Sequence, residues 1–364
     1  MKRFYVTAAI AASLLATSCQ KTYVIDEVRT PIGFSTEVGK QTKAIVDNNE
    51  YLTSQPFGVF AYGLTGNASW STAPSTDNEV MKNVIISYTY KAGEEGEKVW
   101  KATDGKTYYW PNYSKTTLSF FAYSPYSKAA EGESNGVGMN KTPSYEAPSG
   151  VNAGGIKIEA YEHTDKTLDF MTADAKDRTY TQPDGSEGAS TATKGTVKLQ
   201  FKHQLAQLVF AVKKADDYAG ITMTLQSITL NNIGNTATFQ NGQWDTPTTY
   251  TGAYEIDYSD VTDKTFTKTG AVTSKGMTVI PQSLRASEQS NPGQRMTIVY
   301  EISGTGVAKE TVTKTVDLYT QNLTKWEPNQ KITYNISIGM QEILFNPSVS
   351  TWTTPESSAE VPIN

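Results

Sequence analysis

Cysteine is almost missing from this chain: Cys19 is the single one among 364 residues. No internal disulfide can form, so stability must come from buried cores. Histidine is nearly as scarce, with His163 and His203 alone. A Ser-His-Asp or Cys-His nucleophile system would have to recruit one of these two. His203 falls inside a strand-like stretch and reads as a packed, hydrogen-bonded histidine, whereas His163, in YEHTDKTLDF, reads as a solvated loop residue. Clustered zinc ligands are lacking, and Asp245, Asp257 and Asp260 do not have calcium-loop spacing. Neither G-x-G-x-x-G nor G-x-x-x-x-G-K occurs. The pair Glu94 and Glu95 in KAGEEGEK reads as a charged hairpin tip rather than a glycosidase couple. A basic excess is missing too: 32 Lys and Arg against 37 Asp and Glu give a net charge of -5, which leaves no footprint for nucleic acid. These absences call for no cofactor and no metal, and they argue against an enzyme.

Long apolar runs are also lacking. The one at the start, Phe4 to Ala16, is shorter than the roughly 20 residues that a membrane span requires. It follows Lys2 and Arg3 and ends in the small residues Ala16, Thr17 and Ser18, so residues 1–18 read as a signal peptide. An unpaired thiol in an exported chain asks for a reason. The sequence LLATSC resembles a lipobox, with Leu15 one position further upstream than usual. Cys19 is then the lipidated new N-terminus, and Gln20 in place of aspartate favours the outer membrane.

What the chain does have is strand periodicity. Ile332, Tyr334, Ile336, Ile338 and Met340 alternate with polar residues, as do Val84, Ile86, Tyr88 and Tyr90, then Met296, Ile298, Tyr300 and Ile302, and more briefly Leu118, Phe120 and Ala122. Between Val197 and Val212 the apolar phase changes: Val197, Leu199 and Phe201 share one parity, Ala206, Leu208, Phe210 and Val212 the other. A bulge, or a strand bending from one sheet into another near His203 and Gln204, has this effect. The fold class is therefore all-β, with antiparallel sandwiches. Residues 129–155 read as a long surface loop, 181–195 as an interdomain linker, and 241–276 as polar with few signs of a core. The expected division is an N-terminal domain over 44–193 and a C-terminal domain over 194–340, with 20–43 and 341–364 outside both.

Taken in order, several segments are similar to the fimbrillin-like lipoproteins of Bacteroidetes, the subunits of protease-assembled pili. They are LLATSC, IGFST followed by QTKA, PFGVFAY, YYWP with LSFFAYSP, LDFMTA, LQFKHQLAQLVFAV, VIPQ, WEPNQKITYNISI and ILFNPSVSTW. The resemblance implies two tandem transthyretin-like β-sandwiches, exported as a lipidated precursor to the outer membrane and then assembled into a cell-surface fimbrium. A maturation protease removes a propeptide, here 19–43, whose plug strand would carry Ile32 and Phe34. Lys43, then Lys40, are the favoured cleavage positions. Arg29 is less suited, because it precedes the plug and a cut there would leave the plug in place. Partners are further copies of the chain or related pilin subunits, joined head to tail through a donor strand in the tail 341–364, with Ile343, Phe345, Val349 and the anchor Trp352. Pro347 is expected to break that tail into two short strands. The alternative is a surface lipoprotein or tip adhesin that does not polymerise and binds glycans or host ligands, for which Trp70, Trp100 and Trp244 are the candidate stacking residues.

Overall fold

The computed structural model describes residues 30–38, 53–66, 68–90, 98–111, 116–127, 141–149, 154–182, 194–250, 253–288, 292–340 and 343–352. Their regular structure is nearly all β-strand. In chain order these are β1 (Gly33–Val38), β2 (Phe57–Leu64), β3 (Glu79–Tyr90), β4 (Lys98–Ala102), β5 (Thr117–Ser124), β6 (Ser144–Glu146), β7 (Gly155–Glu162), β8 (Met171–Arg178) and β9 (Thr196–His203). Next come β10 (Ala206–Lys214), β11 (Ile221–Asn231), β12 (Gly234–Gln240) and the short β13 (Gln243–Trp244), β14 (Thr249–Tyr250), β15 (Tyr254–Glu255), β16 (Val272–Thr273), β17 (Met277–Val279) and β18 (Gln282–Ser283). The last are β19 (Arg295–Gly304), β20 (Val307–Asp317), β21 (Lys325–Trp326), β22 (Gln330–Ile338) and β23 (Ile343–Thr351). Among the described residues no helix is long and apolar enough to cross a membrane.

In the first half the sheet closes on itself, in the order β1-β4-β3-β2-β5-β8-β9 and back to β1. Its interior is apolar, with Phe57, Val59, Ile86, Phe120, Val197, Leu199 and Phe201 packed together. The sequence FGVFAYGL of β2 is buried at every position, because both of its faces are covered. Phe57, Val59 and Ala61 point into the barrel. Phe60, Tyr62 and Leu64 instead meet a second sheet, β13-β12-β7-β6, laid over the outside. In the second half two sheets, β16-β10-β22-β23 and β15-β11-β19-β20, face each other across one core. Phe210 and Tyr334 stack there at 5.2 Å.

The phase change read between Val197 and Val212 is a change of sheet. β9 ends the barrel at His203, and β10 starts the other core at Ala206. The linear division expected at 193/194 therefore falls inside the barrel, since β9 is one of its strands. The 181–195 segment joins β8 to its antiparallel neighbour β9, not one domain to another. The two halves also share a sheet: β12 of the second half pairs with β7 of the first. Three local expectations are corrected. The stretch 241–276 contributes Ile256, Tyr258, Phe266 and Val272 to the core, because isolated apolar residues in irregular backbone can bury without periodicity. β6 lies within the expected 129–155 loop. Tyr88, Tyr90 and Met340, assigned inward by alternation, are exposed, the two tyrosines at the far end of β3 and Met340 beyond the end of β22.

Candidate functional site: the barrel seam and the C-terminal strand

The barrel is closed by its most N-terminal strand. In GFSTEV alternate residues face inward, and β-branched Thr36 and Val38 suit an extended backbone. Ile32 and Phe34 are 8% and 6% exposed. The Phe34 ring meets Phe57 and Phe120 edge-on, at 5.9 Å from each, an arrangement aromatic quadrupoles favour. β1 runs parallel to β9 in unbroken register from Gly33↔Thr196 to Val38↔Phe201. On its other side it meets β4 only at Phe34↔Trp100. A cleft of about 560 Å³ lies along that looser side, lined by Phe34, Trp100, Lys98, Lys101 and Lys194 among others.

Both ends of the strand are tied down. Ile32 N donates to Tyr108 O at 2.8 Å, and Trp110 N donates to Thr30 O at 3.0 Å. Gly195 O accepts from Gly33 N and from Trp110 Nε1, each at 2.9 Å. Gly195 has φ +81° and a side chain there would crowd Thr30 and Trp110, so glycine is required. At the far end Glu37 Oε1 sits 2.7 Å from Lys198 Nζ. Cys19, Arg29, Lys40 and Lys43 lie outside the described residues.

The C-terminal strand β23 lies antiparallel on β22. Ile343 is opposite Ile338, Phe345 opposite Ile336 and Val349 opposite Ile332, and Val349 packs against the second core. The break expected at Pro347 does not occur: the ladder continues through Tyr334↔Pro347. β23 is the outer strand of its sheet, and an edge strand tolerates proline because only one side needs bonding.

Just past β23, Trp352 N donates to Asn329 O at 2.8 Å. Its ring is 8% exposed and stacks flat on His203, with centroids 4.1 Å apart and planes 9° from parallel. His203 Nδ1 lies 2.8 Å from Asp169 Oδ2, while its Nε2 is buried without a hydrogen-bond partner among the described residues. His203 is thus the packed histidine expected, but its position as the floor beneath Trp352 was not legible. Two residues so far apart in sequence carry no local signal of contact.

His163 departs from expectation, since it is fully buried rather than solvated. Its Nε2 is 2.8 Å from Thr278 O, which can only accept, so Nε2 carries the proton and Nδ1 accepts from Tyr161 Oη at 2.9 Å. Burial, aided by the nearby Lys166 charge, lowers its pKa to about 3. Lys166 is itself lowered to about 8 by burial, and its ammonium lies 4.0 Å from the Tyr254 ring centre. The candidate stacking residues Trp70 and Trp100 are buried. Trp244 is half-buried, with Nε1 donating to Gln204 O at 2.6 Å. Among the described residues no group of three or more His, Cys, Asp or Glu is placed to hold a metal ion.

A nearly all-β chain whose barrel is completed by an N-terminal strand, and whose last sheet is edged by a C-terminal strand, is a protein built around terminal strands. The chain belongs to the fimbrillin-like family, whose profile matches residues 42–352. No curated protein matches it. Its fold is similar to that of a fimbrial protein from Bacteroides vulgatus, at 20% identity and a TM-score of 0.59, covering 88% of this chain and 100% of the other. It is also similar to a protein assigned to cell adhesion from Bacteroides ovatus, at 14% identity and a TM-score of 0.50, covering 90% and 99% respectively.

Proposed function

We propose that this protein is a structural subunit of a surface fimbrium, made as a lipoprotein precursor tethered to the outer membrane through Cys19. A protease cuts at Lys43 or Lys40, the β1 segment departs, and the groove between β4 and β9 receives the C-terminal strand of another copy or a related subunit. Family membership supports the fimbrial role. The observation that carries the mechanism is the seam itself: a short N-terminal strand with buried Ile32 and Phe34 completes the barrel, running parallel to β9. Removing it would bare apolar surface and unpaired backbone, which a strand from a neighbour can cover. A head-to-tail contact of this kind propagates into a filament. Departure of residues 19–43 would also remove the lipid, so the mature subunit would be held by its neighbours.

The test is digestion of the purified full-length precursor with trypsin, followed by mass spectrometry and electron microscopy. Cleavage within residues 37–44 followed by multimers is the expected result. Cleavage elsewhere with a persistent monomer would sink the proposal.

A second reading has its own supporting observation. β23 lies paired on its own chain, with Trp352 buried, as suits a tip adhesin or surface lipoprotein that does not polymerise and binds glycans or host ligands. Binding on a glycan array by a stable monomer would favour it.

A further inference from the structure

β9 is touched by both ends of the described chain. Along Thr196–Phe201 its ladder partner is β1, and β8 joins it only at Met171↔His203 and Thr172↔Lys202. At its last residue, His203, it forms the floor on which Trp352 stacks. Asp169 holds the His203 ring in place through Nδ1, and Trp352 is packed with Phe170 and Leu205 in the cluster between the two halves. Loss of β1 would leave Thr196–Phe201 of β9 with no ladder partner among the described residues, and unpaired backbone of that kind loosens. The loosened strand ends at the tail's seat.

We infer that the Trp352–His203 stack is a catch holding the C-terminal strand on its own chain, and that β9 transmits the loss of β1 to it. The tail is freed when the N-terminal strand leaves. A subunit with its groove still filled then keeps its tail folded, and one with an open groove has its tail ready, so both ends change state together. This rests on the strand-exchange reading above and adds the order of events to it.

Hydrogen–deuterium exchange on the uncleaved full-length chain tests the inference. Trp352→Ala should raise exchange across β23 by roughly tenfold, from the lost stacking and burial, with β11 and β19 unchanged. Ser35→Pro, which removes an N–H that points toward β9, on Gly33's parity, from the exposed face of β1, should raise exchange in β9 and in β23 together, again sparing β11 and β19. Phe34→Ala should do the same through lost packing. If a variant also loosens β11 and β19, it has unfolded the chain, and the other β1 variant decides. Faster exchange in β9 with β23 unmoved overturns the coupling; unchanged β23 exchange in Trp352→Ala overturns the catch. These measurements are made on the monomer, so they stand whether or not trypsin later produces filaments. A monomer that stays monomeric after cleavage, with the catch behaving as expected, would sink the proposed function alone.

Discussion

Phe34 is held by rings on two sides and by backbone on a third. Replacing it with alanine removes a buried aromatic ring from the seam, and such a change typically costs about 3–5 kcal/mol. Denaturant unfolding of Phe34→Ala should show a loss of that size, whereas Ser35→Ala, on the exposed face of the same strand, should change little. His163 gives a second prediction at this scale. Its folded pKa of about 3 lies below the usual histidine value of 6.5, so below about pH 6.5 the unfolded chain binds a proton that the folded chain refuses. Stability is then full above 6.5 and falls by about 1.4 kcal/mol per pH unit as the medium acidifies toward 3. His163→Gln should flatten that slope in urea titrations between pH 6 and 4. Lys166 does not disturb this window, because its lowered value of about 8 leaves it charged in both states there.

At the scale of elements, the two long edges of the second half differ in chemistry. β20 carries Lys309, Glu310, Lys314 and Asp317 along VAKETVTKTVD, while β23, ILFNPSVST, has no charged residue. Charges blunt an edge against further pairing; β23 lacks that protection except for Pro347. Deleting 341–364 should therefore leave a folded monomer that no longer extends filaments, measured by circular dichroism and by electron microscopy after trypsin. Continued polymerisation would remove the donor role from the tail. The strands themselves were legible wherever one face is buried, as in β19 and β22, since alternation writes that burial directly into the sequence. The seam was legible in part: Ile32 and Phe34 share a parity, which suggests an inserting strand, but not which strand receives it. The continuity of β23 was not legible, because proline's effect depends on whether its strand lies at an edge, and edge position is a property of the sheet.

At the scale of the whole molecule, domain organisation was the least legible level. Composition marks loops, and 181–195 has a linker's composition, yet it joins two neighbours of one barrel. The informative signal was the parity change around His203 and Gln204, where a continuous apolar stretch passes from one core to the other. With β9 committed to the barrel and β10 to the second core, the halves are welded at a point where no flexible spacer intervenes. The shared β7–β12 pairing adds a second weld.

The parallel seam also has a consequence in time. The partners across it are distant in sequence; Glu37 and Gln200, facing each other there, are 163 residues apart. A chain delivered N-terminus first presents β1 long before β9 exists to receive it, and closing so long a loop is slow compared with forming the β19–β20 hairpin. The first strand to emerge is thus among the last to be paired. Pulse-labelling during refolding should find β19 and β20 protected while β1 and β9 still exchange. A late-closing seam is also the one for which a strand of another chain has the longest opportunity to compete.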